Sequence, residues 1–430
     1  MGIVRCLLSL AVQKDWKFFQ MDINNAFLYG DLNEEIYMLP PPGYFKEGNN
    51  KVLRLKKSFY GLKQAPRQWN QKLSEALFEA KFEQSKNDHS LFIRKQGDTV
   101  LYLLVYVDDL VITGNSVTEI EKFKVFLKNK FKIKDLGELK YFLGIEVLKT
   151  KSGLCLNQRK YCLELLHEYG LLACKPVMTP LPENVVLAHK ESDNDKFLRN
   201  ITSYQKLVGK LIYLTMTRPD IAYAVHCLSQ HMHAPLQSHF NLGLRVLRYL
   251  KLAPGSGIGF SKSQTGYNVV AYSDSDWAKC PITRRSISGY CVFVNGNLVS
   301  WKSKKQATLS RSSAEAEYRA MASATCEIMW IVKILKDFGV TENLLPIDLC
   351  CDNKSAIQIA ANPVMHEKTK HFDIDVHLVR EKVASGLIKT VKVVSKSQTA
   401  NVLTKALGSI QHSVMVKKLG MINLYAGSSV

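Results

Sequence analysis

Two aspartates side by side in the middle of an apolar, β-branched run narrow the possibilities for this chain more than any other feature. The run is Leu101-Tyr102-Leu103-Leu104-Val105-Tyr106-Val107-Asp108-Asp109-Leu110-Val111-Ile112-Thr113-Gly114. Strand-forming residues on both sides of a polar pair read as a buried hairpin with its carboxylates at the turn. Neighbouring carboxylates repel and resist losing water, so a fold avoids placing them beside a buried sheet. A divalent cation reverses that cost, because hard cations take oxygen ligands. A solvated Asp-Asp turn between ordinary strands is the alternative that this stretch alone leaves open.

A third carboxylate shifts the balance. Phe18-Phe19-Gln20-Met21-Asp22-Ile23 is another short strand pattern with an aspartate near its end. Asp22 with Asp108 and Asp109, and the tetrapeptide Tyr106-Val107-Asp108-Asp109, resemble the palm triad of reverse transcriptases. The wording is closer still to one family. Gln20-Met21-Asp22-Ile23-Asn24-Asn25-Ala26-Phe27-Leu28-Tyr29-Gly30-Asp31-Leu32, Ser58-Phe59-Tyr60-Gly61-Leu62-Lys63-Gln64-Ala65-Pro66-Arg67 and Ser310-Arg311-Ser312-Ser313-Ala314-Glu315-Ala316-Glu317-Tyr318 resemble the copia-type long-terminal-repeat retrotransposon Pol polyprotein. The resemblance covers nearly the whole chain, in order.

Composition agrees with a nucleic-acid partner. Lys and Arg number 58 against 38 Asp and Glu, a net charge of +20 on 430 residues, and a balance that basic favours a polyanion. A basic surface with no partner is the alternative reading of charge alone. Ten cysteines are scattered without metal-ligand spacing and read as small core residues in a reducing compartment. The opening apolar stretch, residues 3–12, lacks a cleavage site and runs into Lys14-Asp15-Trp16, so it reads as a core-facing helix rather than a secretion signal. No apolar run approaches membrane-spanning length.

The resemblance implies an α+β fold: a right-hand polymerase palm and fingers with a helical thumb-connection, then an α/β ribonuclease H-like domain. The implied segments are residues 1–150 for fingers and palm, 151–265 for thumb and connection, 266–410 for the ribonuclease H-like part and 411–430 for a tail. In the family further finger segments precede the first helix. This chain starts directly on that helix, so an N-terminally truncated polymerase fragment of a larger polyprotein is expected.

The same resemblance assigns roles. Asp22, Asp108 and Asp109 are expected to hold two Mg²⁺ ions, with an RNA template, a DNA primer and deoxynucleoside triphosphates as partners. Phe27 falls where the family sets an aromatic against the sugar of the incoming nucleotide; a core aromatic at a helix start is the alternative. Gly61, Lys63 and Arg67 match a template-binding segment, where glycine permits close backbone approach and the basic pair can meet phosphates. Lys134 lies near the family's leaving-group lysine, though with Lys130 and Lys132 nearby a solvated basic face is the favoured reading of any one of the three. The ribonuclease H-like part is expected to hold two further Mg²⁺ ions on Asp274, Glu315 and Asp352 and to cut an RNA–DNA hybrid. Its fourth carboxylate position is degenerate here: Gln398-Thr399-Ala400-Asn401 puts an amide at Asn401, either a weakened ligand or a helix N-cap. The rival reading is of another class, a decayed or co-opted remnant that binds nucleic acid without catalysis.

Overall fold

The computed structural model describes residues 1–45, 51–264, 267–340, 344–362 and 372–425, so the end of the 411–430 tail lies outside the described residues. The fold is α+β, as expected from the sequence. It forms two compact units, one of Lys14–Leu139 and one of Met1–Gln13 with Lys140–Val430.

The Lys14–Leu139 unit is a six-stranded antiparallel sheet. Its order is Glu83–Gln84, Leu91–Gln96, Thr99–Tyr106, Asp109–Gly114, Phe18–Ile23, Ile133–Glu138. Helix Ala65–Glu79 lies in the chain between Phe18–Ile23 and the hairpin of residues 99–114, and Val117–Lys130 between that hairpin and Ile133–Glu138, giving a β-α-β-β-α-β core. Strand side chains alternate between faces, and this decides where the acids go. Phe19, Met21, Ile23, Leu101, Leu103, Leu110 and Ile112 join Trp69, Leu73, Leu77, Ile120, Phe123 and Leu127 of the helices in one core. The intervening residues, Gln20, Asp22 and Asp109 among them, are thereby sent to the opposite face.

In the other unit, an antiparallel five-stranded sheet runs from Tyr141–Phe142 through Ile145–Thr150, Gly153–Asn157 and Ser256–Ser261 to Met421–Asn423. Helices Arg159–Glu168, Ile201–Leu214, Ala222–Ser229 and Gln237–Leu252 share a core of Leu, Val, Ile and Tyr side chains. Within that layer Arg218 and Asp220 form a buried ion pair at 2.7 Å, and the Tyr249 hydroxyl donates to Asp220 at 2.6 Å. The second sheet has the order Asn297–Lys305, Ile287–Val294, Val269–Asp276, Ile347–Cys351, Ile388–Lys392. Its first three strands are antiparallel and the last two join in parallel, with the long helix Ser313–Asp337 packed on it. That is the ribonuclease H-like order.

Helix Gly2–Gln13 belongs to this second unit and is buried almost all round. The Arg5 guanidinium donates to the Val299 carbonyl at 3.0 Å and the Met216 carbonyl at 3.2 Å, and lies 3.8 Å over the Trp301 ring. Ser9 donates to the Val294 carbonyl, and Gln13 exchanges two hydrogen bonds with the Ser263 backbone. Among the described residues no helix is long and apolar enough to cross a membrane.

Candidate active sites

In the Lys14–Leu139 unit the acids meet because of strand register. Asp22 lies directly opposite Asp109 in the antiparallel pairing, which sets their side chains on one face at neighbouring positions. Asp108 sits in the two-residue connection between paired Tyr106 and Asp109. Its neighbour Val107 has φ of 55°, a left-handed conformation that a β-branched residue adopts only under constraint. The constraint is visible on both sides of the turn. The Trp69 indole donates to the Val107 carbonyl at 2.7 Å, and the Ile23 amide donates to the Asp108 carbonyl at 2.9 Å. Burial, then the charges of Asp108 and Asp22, raise the Asp109 carboxyl above the usual carboxylate value, with Gln20 acting in the other direction. Three carboxylates that sense one another offer the oxygen donors a divalent cation takes, although their oxygens do not all lie within 4.8 Å of one another as those of a preformed site would.

Of the surrounding residues, the structure relates the aromatic pair Phe27 and Tyr60 to the acids. Phe27 packs against Tyr60 with ring centroids 4.5 Å apart. Burial and then the Asp108 charge, with a further contribution from Asp22, raise the Tyr60 phenol, which places this aromatic pair at the edge of the acids. Gly61 has φ of 94°, a conformation that glycine accommodates freely, and open space surrounds its missing side chain. Lys63 and Arg67 are exposed around the start of helix Ala65–Glu79. Of the three lysines for which a solvated basic face was the favoured reading, Lys134 pairs directly opposite Asp22.

The second centre differs from expectation in one residue. Asp274, near the end of Val269–Asp276, is fully buried, and Asp352 directly follows Ile347–Cys351. Glu315 does not join them. Ser312 caps the long helix by accepting from the amide of Glu315, the third residue of the helix and the last of a Ser-x-x-Glu pattern. Its carboxylate accepts from the Arg311 amide at 2.8 Å and pairs with Arg319 at 2.9 Å. Glu317, two residues on, is turned by the helical rotation toward the sheet instead. Carboxylate oxygens of Glu317 and Asp352 and the Cys351 sulfur lie within 4.8 Å of one another. Burial, then Asp274 and Asp352, push the Glu317 carboxyl up to about 9. The helical member of this cluster is therefore Glu317, and Glu315 is a structural cap.

Without metal, burial and then Glu317 hold the Cys351 thiol far above its usual value. The three carboxylates suit a hard cation. The sequence reading also missed the residues that serve Asp274. Thr404 donates to one of its oxygens and Lys405 to the other at 3.2 Å. Asn401 is not an N-cap, a role taken by Gln398, whose side chain accepts from the Ala400 amide. Its amide nitrogen donates to the Ser395 carbonyl at 2.8 Å and its oxygen accepts from Lys405 at 3.0 Å. Lys302, Lys304, Lys305, Gln306, Arg319 and Asp375 line a cleft of about 340 Å³ in the same unit.

A family model described as reverse transcriptase (RNA-dependent DNA polymerase) matches residues 1–183. The retrovirus-related Pol polyprotein from transposon RE2 of Arabidopsis thaliana is 41% identical over 422 residues, covering 98% of this chain and 29% of that polyprotein. The corresponding polyprotein from transposon RE1 of the same plant is 42% identical over 419 residues, covering 97% and 28%. A putative transposon Ty5-1 protein of Saccharomyces cerevisiae is 32% identical over 312 residues, covering 72% of this chain and 100% of its own length. The chain thus spans under a third of the two plant polyproteins it matches.

Proposed function

The chain belongs to the copia-type retrotransposon Pol family, and from that premise we propose that it extends a DNA primer on an RNA template and cuts the RNA strand of the hybrid formed. The observation that carries this reading is the register that sets Asp22 against Asp109 beside the constrained Val107–Asp108 turn. Asp22, Asp108 and Asp109 would hold Mg²⁺ in the first centre, and Asp274, Glu317 and Asp352 in the second. When bound, such ions stabilise the charge on the oxygens that attack and leave a phosphate.

The protein's own contribution is positional. Trp69 and Ile23 hold the turn so that Asp108 and Asp109 stay in place without rearrangement. Phe27, packed against Tyr60, selects the deoxy sugar by crowding a 2′-hydroxyl, a role its contact with Tyr60 supports. Lys63 and Arg67 meet phosphates of the template, and the deoxynucleoside triphosphate is held near Lys134. In the unit that carries the second centre, the lysine-lined cleft is suited to the backbone of an RNA–DNA hybrid. The functional division is the one read from the motifs: residues 1–150 for polymerisation, 151–265 for thumb and connection, 266–410 for hydrolysis.

Primer extension tests the reading. The purified chain, a labelled DNA primer on an RNA template, Mg²⁺ and the four deoxynucleotides are expected to give extension that Asp109→Asn abolishes at an unchanged melting temperature. Extension by that variant at the normal rate would sink the triad assignment. Absence of extension by the unaltered chain, with hybrid binding retained, favours a remnant that only binds nucleic acid.

A further inference from the structure

We propose that Lys405 is a resident cation of the second carboxylate centre, standing where an additional divalent ion would otherwise sit, so that this centre loads one ion rather than two. The inference rests on reading Asp274, Glu317 and Asp352 as a divalent-ion centre and adds what that reading lacks, the number of ions.

The geometry is closed around the ammonium. Lys405 Nζ lies 3.2 Å from Asp274 Oδ1 and 3.0 Å from Asn401 Oδ1, so it bridges the first acid of the cluster and the position where an amide stands in place of a fourth acid. The other Asp274 oxygen accepts from the Thr404 hydroxyl, and the Asn401 amide nitrogen is committed to the Ser395 carbonyl. Both Asp274 oxygens and both polar atoms of the Asn401 side chain are therefore engaged by protein groups. Glu317 is engaged by neutral groups alone, the Ser275 backbone and the Cys351 thiol. Among the described residues it has no ion pair, although it is buried and faces the Cys351 sulfur at 4.0 Å.

Charge gives the same count. Asp274, Glu317 and Asp352 carry three negative charges when ionised, and Lys405 returns one. The remaining two match one divalent ion at the Glu317–Asp352 side. An aspartate at position 401 would add a fourth negative charge, and loss of Lys405 would uncover it. An amide at 401 and an ammonium at 405 are thus two parts of one substitution, a fixed monovalent cation in exchange for a ligand charge.

The test counts ions directly. In the full chain carrying Asp108→Asn and Asp109→Asn, which silences the first centre, Mn²⁺ is titrated by calorimetry and free Mn²⁺ is followed by electron paramagnetic resonance. One ion is expected. Lys405→Met is expected to admit a second ion or to tighten Mn²⁺ on the order of tenfold, while Lys405→Arg keeps the count at one. The Met variant should also melt lower without metal, since buried Asp274 loses its partner, and regain that loss when Mn²⁺ is added. An unchanged count and affinity in Lys405→Met overturns the proposal. Should Lys405→Met fail to fold, Asn401→Asp alone decides the matter: one ion supports the proposal, and two ions with Lys405 in place overturn it. A failure of the underlying reading looks different, with no ion bound by the silenced parent and no change on Glu317→Gln.

Discussion

Glu315 and Glu317 stand two residues apart in near-identical wording, and a paired substitution separates a cap from a metal ligand. Consider Glu317→Gln in the absence of divalent ions. The carboxyl of Glu317 is raised from an ordinary 4.5 to about 9 by burial and by Asp274 and Asp352. Between those two values the folded chain holds a proton that the unfolded chain has released, so metal-free stability falls as pH rises through that window. At pH 7 the displacement from 4.5 is 2.5 units, which at 1.36 kcal/mol per unit is a ceiling of about 3 kcal/mol. Glutamine keeps the shape and removes the titration. The variant is therefore expected to melt higher than the parent at pH 7 in a chelator, by a few degrees, and to show a flatter dependence on pH.

Saturating Mg²⁺ should erase the advantage, because the ion stabilises the parent and has lost a ligand in the variant. Hybrid cleavage, read as release of RNA fragments on a gel, should fall at least about 100-fold. Glu315→Gln should behave in the opposite way. It loses the Arg319 pair and part of the cap, about 1 kcal/mol of stability whether or not metal is present, and retains cleavage within a few-fold. Retained cleavage in Glu317→Gln together with its loss in Glu315→Gln would refute the reasoning and restore Glu315 to the cluster.

Three further outcomes follow from particular contacts. Trp69→Phe removes the donor that holds the Val107 carbonyl, so primer extension should drop roughly tenfold or more while stability falls by only about 1–2 kcal/mol; equal extension rates would show that the turn holds itself. Arg218→Met leaves Asp220 buried without its partner and should cost about 3–5 kcal/mol in denaturant unfolding, a loss that Arg218→Met with Asp220→Leu largely recovers. His226 is pushed down to about 4 by burial and by Lys305 and Lys304, so it stays neutral in the fold while the unfolded chain takes a proton near 6.5. Stability should consequently fall as pH drops from about 6.5 to about 4, by up to about 3 kcal/mol, and His226→Gln should remove that part of the acid sensitivity.

The sequence made the first centre legible because a strand alternates with period two. Given that Phe19, Met21 and Ile23 point to a core, Asp22 cannot, and the same parity holds for Asp109 between Leu110 and the turn. The second centre was legible only to the resolution of a motif. Ala-Glu-Ala-Glu offers two acids, and the choice lies in Ser312, whose capping bond fixes the helix start and thereby the rotation of everything after it. A Ser-x-x-Glu pattern was a usable signal for Glu315 as a cap. Lys405 offered none, since it meets Asp274 across 131 residues of sequence and no local pattern encodes that meeting. The home of helix Gly2–Gln13 was equally hidden: an all-round apolar helix announces that it will be buried, not against what.

That helix imposes an order of events during synthesis. Arg5 leaves the ribosome well before its hydrogen-bond acceptor on Val299, which lies 294 residues later. At roughly 5–20 residues per second the interval is about 15–60 s. The Lys14–Leu139 unit has all its strands and both helices within its own stretch and can fold during that interval. Helix Gly2–Gln13 cannot, and for that time Ile3, Leu7, Leu8 and Leu10 have no permanent partner. Helix Gly2–Gln13 thus precedes its partners in the chain by nearly 300 residues, and its apolar faces are covered only once the strands that carry Val294 and Val299 have been made.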